Sequence, residues 1–90
     1  MSSSMPMVAA DIETAILRLL GEAGKGRTVS PADAARALIP GPGWHVLMPG
    51  VRRAAVRLAQ AGRLVIYRKG KPVDPTDFKG VYRLGLPRHD

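Results

Sequence analysis

Apolar residues recur every three to four positions in the first third of the chain. Val8, Ala9, Ile12, Ala15, Ile16, Leu19, Leu20 and Ala23 fall on one side of a helical wheel, and Glu13, Thr14, Arg18 and Glu22 fall mostly on the other. That spacing predicts an amphipathic helix over 8–23, with Gly24 as its C-terminal stop. Lys25 to Val29 is too short and too glycine-interrupted for a helix, but Thr28-Val29 has room for a very short strand. Ser30-Pro31-Ala32-Asp33 opens a second helix. Ser30 is a favoured N-cap, Pro31 at the first helical position forfeits no needed hydrogen bond, and Asp33 completes a capping box. The helix runs from Ala32 to about Leu38 and is ended by Pro40-Gly41-Pro42-Gly43.

Trp44 to Met48 leads into a third helix, with Pro49 in its first turn, where the ring meets no preceding carbonyl. Val51, Ala54, Ala55, Leu58 and Ala59 form its buried stripe, and Arg53, Arg57 and Gln60 share the opposite face. Gly62 is its stop. Beyond it the period changes. Leu64 to Arg68 is β-branched and apolar and predicts a strand. Lys69-Gly70-Lys71-Pro72 is turn chemistry, Val73 to Lys79 is polar, and Val81 to Leu84 predicts a second strand. The two strands should pair as a hairpin with a long basic loop.

The expected order is helix, short strand, helix, helix, strand, loop, strand. It predicts an α+β winged helix-turn-helix: a three-helix core with a C-terminal β-hairpin wing. Leu64, Ile66 and one face of Val81–Leu84 would cover apolar surface that the short middle helix leaves open. The domain is expected over residues 8–86, with tails at 1–7 and 87–90.

A chain of 90 residues builds one modest core. It has no cysteine, which removes disulfides, thiolate nucleophiles and Cys-ligated zinc together. Its two histidines, His45 and His89, have no acidic cluster beside them, so no metal and no cofactor is expected. No apolar run approaches the ~18 residues of a membrane span. Residues 1–7 do not read as a signal peptide, and the expected location is the cytoplasm. Ser30 and the other hydroxyls have no histidine placed to activate them, so no enzyme is expected. Lys69-Gly70-Lys71 lacks the spacing and following helix of a phosphate-binding P-loop.

The net charge of +7 changes the picture through its distribution. Residues 1–44 are balanced, whereas residues 45–90 hold ten Lys and Arg against three Asp. A one-sided basic field attracts polyanions, nucleic acid before anionic membrane.

Three blocks carry a resemblance: Trp44-x-x-Leu47-Met48-Pro49-x-Val51-Arg52; Ala55-x-x-Leu58 with Gly62-Arg63; and Lys69-Gly70-Lys71-x-Val73-Asp74-Pro75, closing on Gly80 and Arg83-Leu84. Across most of residues 12–86 the chain resembles a family of short bacterial proteins classed as a domain of unknown function. The departure is Val81-Tyr82 after Gly80, where the family pattern has a proline nearby. The resemblance implies a winged-helix-like fold and no particular activity.

The candidate nucleic-acid residues are His45, Arg52, Arg53, Arg57, Gln60, Arg68, Lys69, Lys71 and Lys79. Arg53, Arg57 and Gln60 would face a major groove, where Arg and Gln read base edges or phosphates. Arg68, Lys69, Lys71 and Lys79 make a basic wing suited to phosphate contact. Asp74 and Asp77 oppose that charge and have an alternative use in Asx-type bonds that fix the loop. Arg52 lies nearer the buried stripe and has a competing structural use, paired with Asp33, Asp74 or Asp77. Trp44 is expected to anchor the turn before the third helix. The partner expected first is duplex DNA. The alternative is a protein-interaction module with an acidic partner, motivated by the off-stripe apolar residues Leu17 and Val56. RNA or an anionic membrane surface rests on charge alone.

Overall fold

The computed structural model describes residues 9–87. Val8, the expected tail at 1–7, and Arg88, His89 and Asp90 of the expected C-terminal tail lie outside the described residues. Three helices and a four-stranded antiparallel sheet make a mixed α+β domain. The order is α1 (Ala9–Ala23), β1 (Thr28–Val29), α2 (Pro31–Leu38), a 3-10 turn (Pro42–Leu47), α3 (Met48–Gln60), β2 (Val65–Arg68), β3 (Lys71–Pro72) and β4 (Arg83–Gly85).

The helix ends form as the local chemistry dictates. The Gly24 N–H donates to the Leu20 carbonyl at 3.0 Å, and Gly24 takes a positive φ of 87°. At the start of α2 the Asp33 N–H donates to Ser30 Oγ, and the Ser30 N–H donates to Asp33 Oδ2, each at 3.1 Å. The Ser30 N–H is the main reason the Asp33 carboxyl sits below its ordinary pKa, with Arg36 adding to the effect. The stabilisation this cap contributes is therefore present above the ordinary carboxylate pKa and lost as pH falls through the lowered value. α3 closes with a Schellman motif: Gly62 N–H donates to the Ala59 carbonyl and Arg63 N–H to the Leu58 carbonyl.

The helices bury one face each. Ile12, Ile16 and Leu20 of α1 meet Ala34 and Ala35 of α2 and Val51, Ala54, Ala55 and Leu58 of α3. Small residues on α2 and α3 let the helices approach closely. At Gly50 of α3 an added Cβ would lie 3.0 Å from Ile12 Cδ1.

Strand order is β1-β4-β2-β3, so β4, last in the chain, lies inside the sheet. Its partners are set by register: Leu84 opposes Val29 on one side and Ile66 on the other. These three residues and Leu64 cover the helices with their buried side. The pleat then turns Thr28, Tyr67 and Arg83 to the opposite face. The short strand at Thr28-Val29 thus forms as expected, and it joins the same sheet as the C-terminal strands.

The connection between β2 and β4 differs from the long basic loop expected. Lys69 and Gly70 both have positive φ, 53° and 81°, and make a two-residue turn. Positive φ at both central positions is the geometry of a tight hairpin turn, and it pairs Arg68 with Lys71 and Tyr67 with Pro72. The following segment, 73–82, is pinned rather than loose. Phe78 and Tyr82 turn inward and are buried, ring against ring at 5.1 Å. A single Phe amid polar neighbours carries no periodic signal, which is why 73–79 reads as a plain polar loop.

Candidate nucleic-acid interface

α3 presents three kinds of surface. Its core side is described above. Its solvent side carries Pro49, Arg53, Arg57 and Gln60, all exposed. Arg57 leans towards α1, where its Nε donates to Glu13 Oε2 at 2.7 Å. This ion pair is partly exposed to water and contributes little to stability. Arg53 makes no hydrogen bond or ion pair among the described residues.

Arg52 lies on the third side of α3 and turns inward. Its Nη2 donates to the Phe78 carbonyl at 2.6 Å, and its guanidinium lies 4.0 Å from the centre of the Phe78 ring. The Tyr82 ring is 5.8 Å away. Arg52 therefore has a structural use, and its partners are a carbonyl and two rings rather than Asp33, Asp74 or Asp77. Burial pushes the Tyr82 hydroxyl to a higher pKa, and the positive charge of Arg52 partly opposes that.

Arg68 grips the same segment from β2. Its Nε donates to the Val81 carbonyl at 3.0 Å, and its guanidinium fills the space over Gly80, within 2.8 Å of where a Cβ would be. Gly80 has a φ of 87°, a conformation that favours glycine. Two of the nine candidate side chains, Arg52 and Arg68, thus tie segment 73–82 to α3 and to the hairpin.

Lys69, Lys71 and Lys79 are exposed. Lys69 occupies the turn itself, and Lys71 begins β3. The acidic residues of the segment are partly engaged. Asp74 accepts from both the backbone N–H and the hydroxyl of Thr76, at 2.9 and 2.7 Å. The Thr76 N–H is the chief cause of its lowered pKa. This is the Asx-type use expected for that residue.

His45 is exposed and stacks on Trp44, ring centres 3.7 Å apart. Arg36 of α2 lies 4.9 Å from the Trp44 ring centre and also pairs with Asp33. Trp44 is partly buried against the core, so it anchors the segment before α3 while keeping an open edge. Leu17 and Val56 pack partly against the core too. The large apolar side chains that remain exposed are Val46 and Val81. Val81 borders an apolar groove shared with Pro31, Ala32, Met48 and Tyr82.

Two further polar side chains, Tyr67 and Arg83, stand on the outer face of the sheet, on the side away from the core. They stand opposite each other on β2 and β4. Arg83 donates from Nε to Thr28 Oγ1 at 2.7 Å and from Nη2 to the Thr28 carbonyl at 3.1 Å. The signal was there in the alternation of Ile66 with Tyr67 and of Leu84 with Arg83, read with the correct strand pairing.

The chain folds as a small mixed α+β domain that carries exposed cations on α3 (Arg53, Arg57) and in the C-terminal hairpin segment (Lys69, Lys71, Lys79) as well as on the first half of the chain. The chain belongs to the family described as "Protein of unknown function (DUF3253)", whose profile matches residues 9–87. No curated protein gives a significant match. Among the described residues no cluster of His, Asp or Glu could hold a metal ion, and no helix is long and apolar enough to cross a membrane.

Proposed function

We propose that the protein is a winged-helix module that binds nucleic acid, duplex DNA foremost, through α3 and the basic hairpin. The order of elements supports the winged-helix reading: α2 is followed by α3 after a connection over 39–47 that contains the 3-10 turn, and a hairpin follows α3. The observation that carries the function is uncompensated charge. Arg53, Lys69, Lys71 and Lys79 are exposed on α3 and the hairpin segment, and among the described residues the ion pair that neutralises a cation there is Arg57 with Glu13. Such a surface suits a polyanion, and phosphate contact needs charge more than fine geometry. A helix face bearing Arg and Gln can also reach base edges.

Arg53→Ala and Arg57→Ala, singly and together, test the α3 part. Each removes an exposed side chain, so the thermal midpoint should hardly move. Binding to a labelled duplex at low salt should weaken several-fold in the double variant, read by fluorescence anisotropy. Unchanged affinity removes α3 from the interface. The second reading, a docking module for an acidic protein, draws on the same exposed cations. It gains if the wild-type protein ignores nucleic acid at every salt concentration.

A further inference from the structure

The outer face of the sheet combines an aromatic ring with cations that have no ion pair among the described residues. Ile66 and Leu84 face the core, so Tyr67 and Arg83, directly opposed across β2 and β4, face away from it. The Tyr67 ring lies over Gly85: a Cβ at that glycine would sit 2.9 Å from Tyr67 Cε2. Glycine at 85 thus lets the ring lie down along the sheet. Beside it is an open depression of about 190 Å³, lined by Thr28, Tyr67, Lys69, Gly70 and Arg83.

The polar partners of Arg83 there are the hydroxyl and carbonyl of Thr28, both uncharged. They orient the guanidinium and leave its charge intact. Lys69 is exposed in the tight turn at the rim. Among the described residues no acidic side chain lines the depression. A pre-oriented guanidinium, a flexible ammonium and a partly exposed ring fit one anionic group joined to a flat or apolar one. A phosphodiester with its adjoining sugar or base has that composition.

We propose that this outer sheet face is a second nucleic-acid contact, separate from α3: one phosphodiester lies between Lys69 and Arg83, and its sugar or base packs on Tyr67. The inference rests on the nucleic-acid reading above and extends its footprint beyond the helix and the basic tip to the sheet. It also assigns roles to Tyr67 and Arg83, where Arg83 acts through a position set by Thr28.

The test uses labelled duplex and single-stranded DNA, with wild type, Lys69→Asn, Tyr67→Leu and Arg53→Ala measured by anisotropy over a series of salt concentrations. Asparagine tolerates the positive φ at position 69, so that variant removes the charge and keeps the turn. Thermal midpoints near wild type establish that the variants fold. Lys69→Asn should flatten the log–log salt slope for duplex by about 0.9, one phosphate's worth. Tyr67→Leu should weaken binding at least about fivefold with the slope unchanged, as loss of stacking does. If both bind like wild type while Arg53→Ala weakens binding, the sheet face is excluded and the α3 reading stands. If they weaken and Arg53→Ala does not, the sheet face is the interface and α3 is excluded. If wild type binds neither probe at low salt, both proposals fall.

Discussion

Leu84→Ala should cost about 2–5 kcal/mol of folding stability, the range for truncating a fully buried leucine. Leu84 has no exposed surface and sits on β4, between β1 and β2. It is opposed by Val29 and by Ile66, so a cavity there loosens both strand pairs at once. A chain of 90 residues has a total stability on the order of 5–13 kcal/mol. The substitution thus consumes a large part of the margin. A urea titration followed by far-UV circular dichroism should show the midpoint falling sharply with little change in slope. A midpoint within a few tenths molar of wild type would mean that β4 is not held in the core as described.

The second large effect is expected at Arg52, and its character separates structure from binding. Arg52→Ala removes a charged hydrogen bond to the Phe78 carbonyl and the cation beside the Phe78 ring. A hydrogen bond to a charged group contributes about 1.5–3 kcal/mol, so a loss of about 2–3 kcal/mol is expected. Arg52→Lys should recover only part, because an ammonium cannot lie flat on the ring as a guanidinium does. Amide exchange should speed up first in segment 73–82, which Arg52 pins. Arg53→Ala, one residue away and exposed, should leave stability within about 0.5 kcal/mol. If Arg52→Ala instead left stability and exchange unchanged, Arg52 would return to the set of free cations on α3.

This contrast shows where sequence reading reaches and where it stops. Helix caps are local chemistry, so Ser30 with Asp33, Gly24 and Gly62 were legible from residue type and spacing alone. The buried stripes were legible because 3.6-residue periodicity is imposed by one shared core. Neighbouring arginines on α3 were harder. Arg52 and Arg53 differ by about 100° of helix rotation. Whether Arg52 meets water or a ring depends on the segment around Phe78, which is 26 residues away. Phe78 itself is one aromatic in a polar stretch, and no period marks it as core. Strand pairing was the other gap. The β1-β4-β2-β3 order places β4 between two strands remote from it in sequence, and that placement makes neighbours of Tyr67, Arg83 and Thr28. Lys69-Gly70 is turn chemistry by residue type, but its two positive φ angles, and so strand β3, depend on pairing across it.

The candidate residues differ in what they touch. Arg53, Gln60, Lys69, Lys71 and Lys79 are exposed. Arg57 shares its charge with Glu13, and Arg68 is engaged with Val81. His45 is held against Trp44, at the entrance to α3.

The most direct measurement is the salt dependence of wild-type binding to a random-sequence DNA duplex. If α3 and the hairpin contact phosphates, affinity should fall linearly in a log–log plot, with a slope of about −0.9 per phosphate and roughly three to five phosphates engaged. Absence of binding at 20–50 mM salt, conditions that favour phosphate contacts on the order of tenfold or more over physiological salt, would contradict the nucleic-acid role and leave the basic surface to an acidic protein.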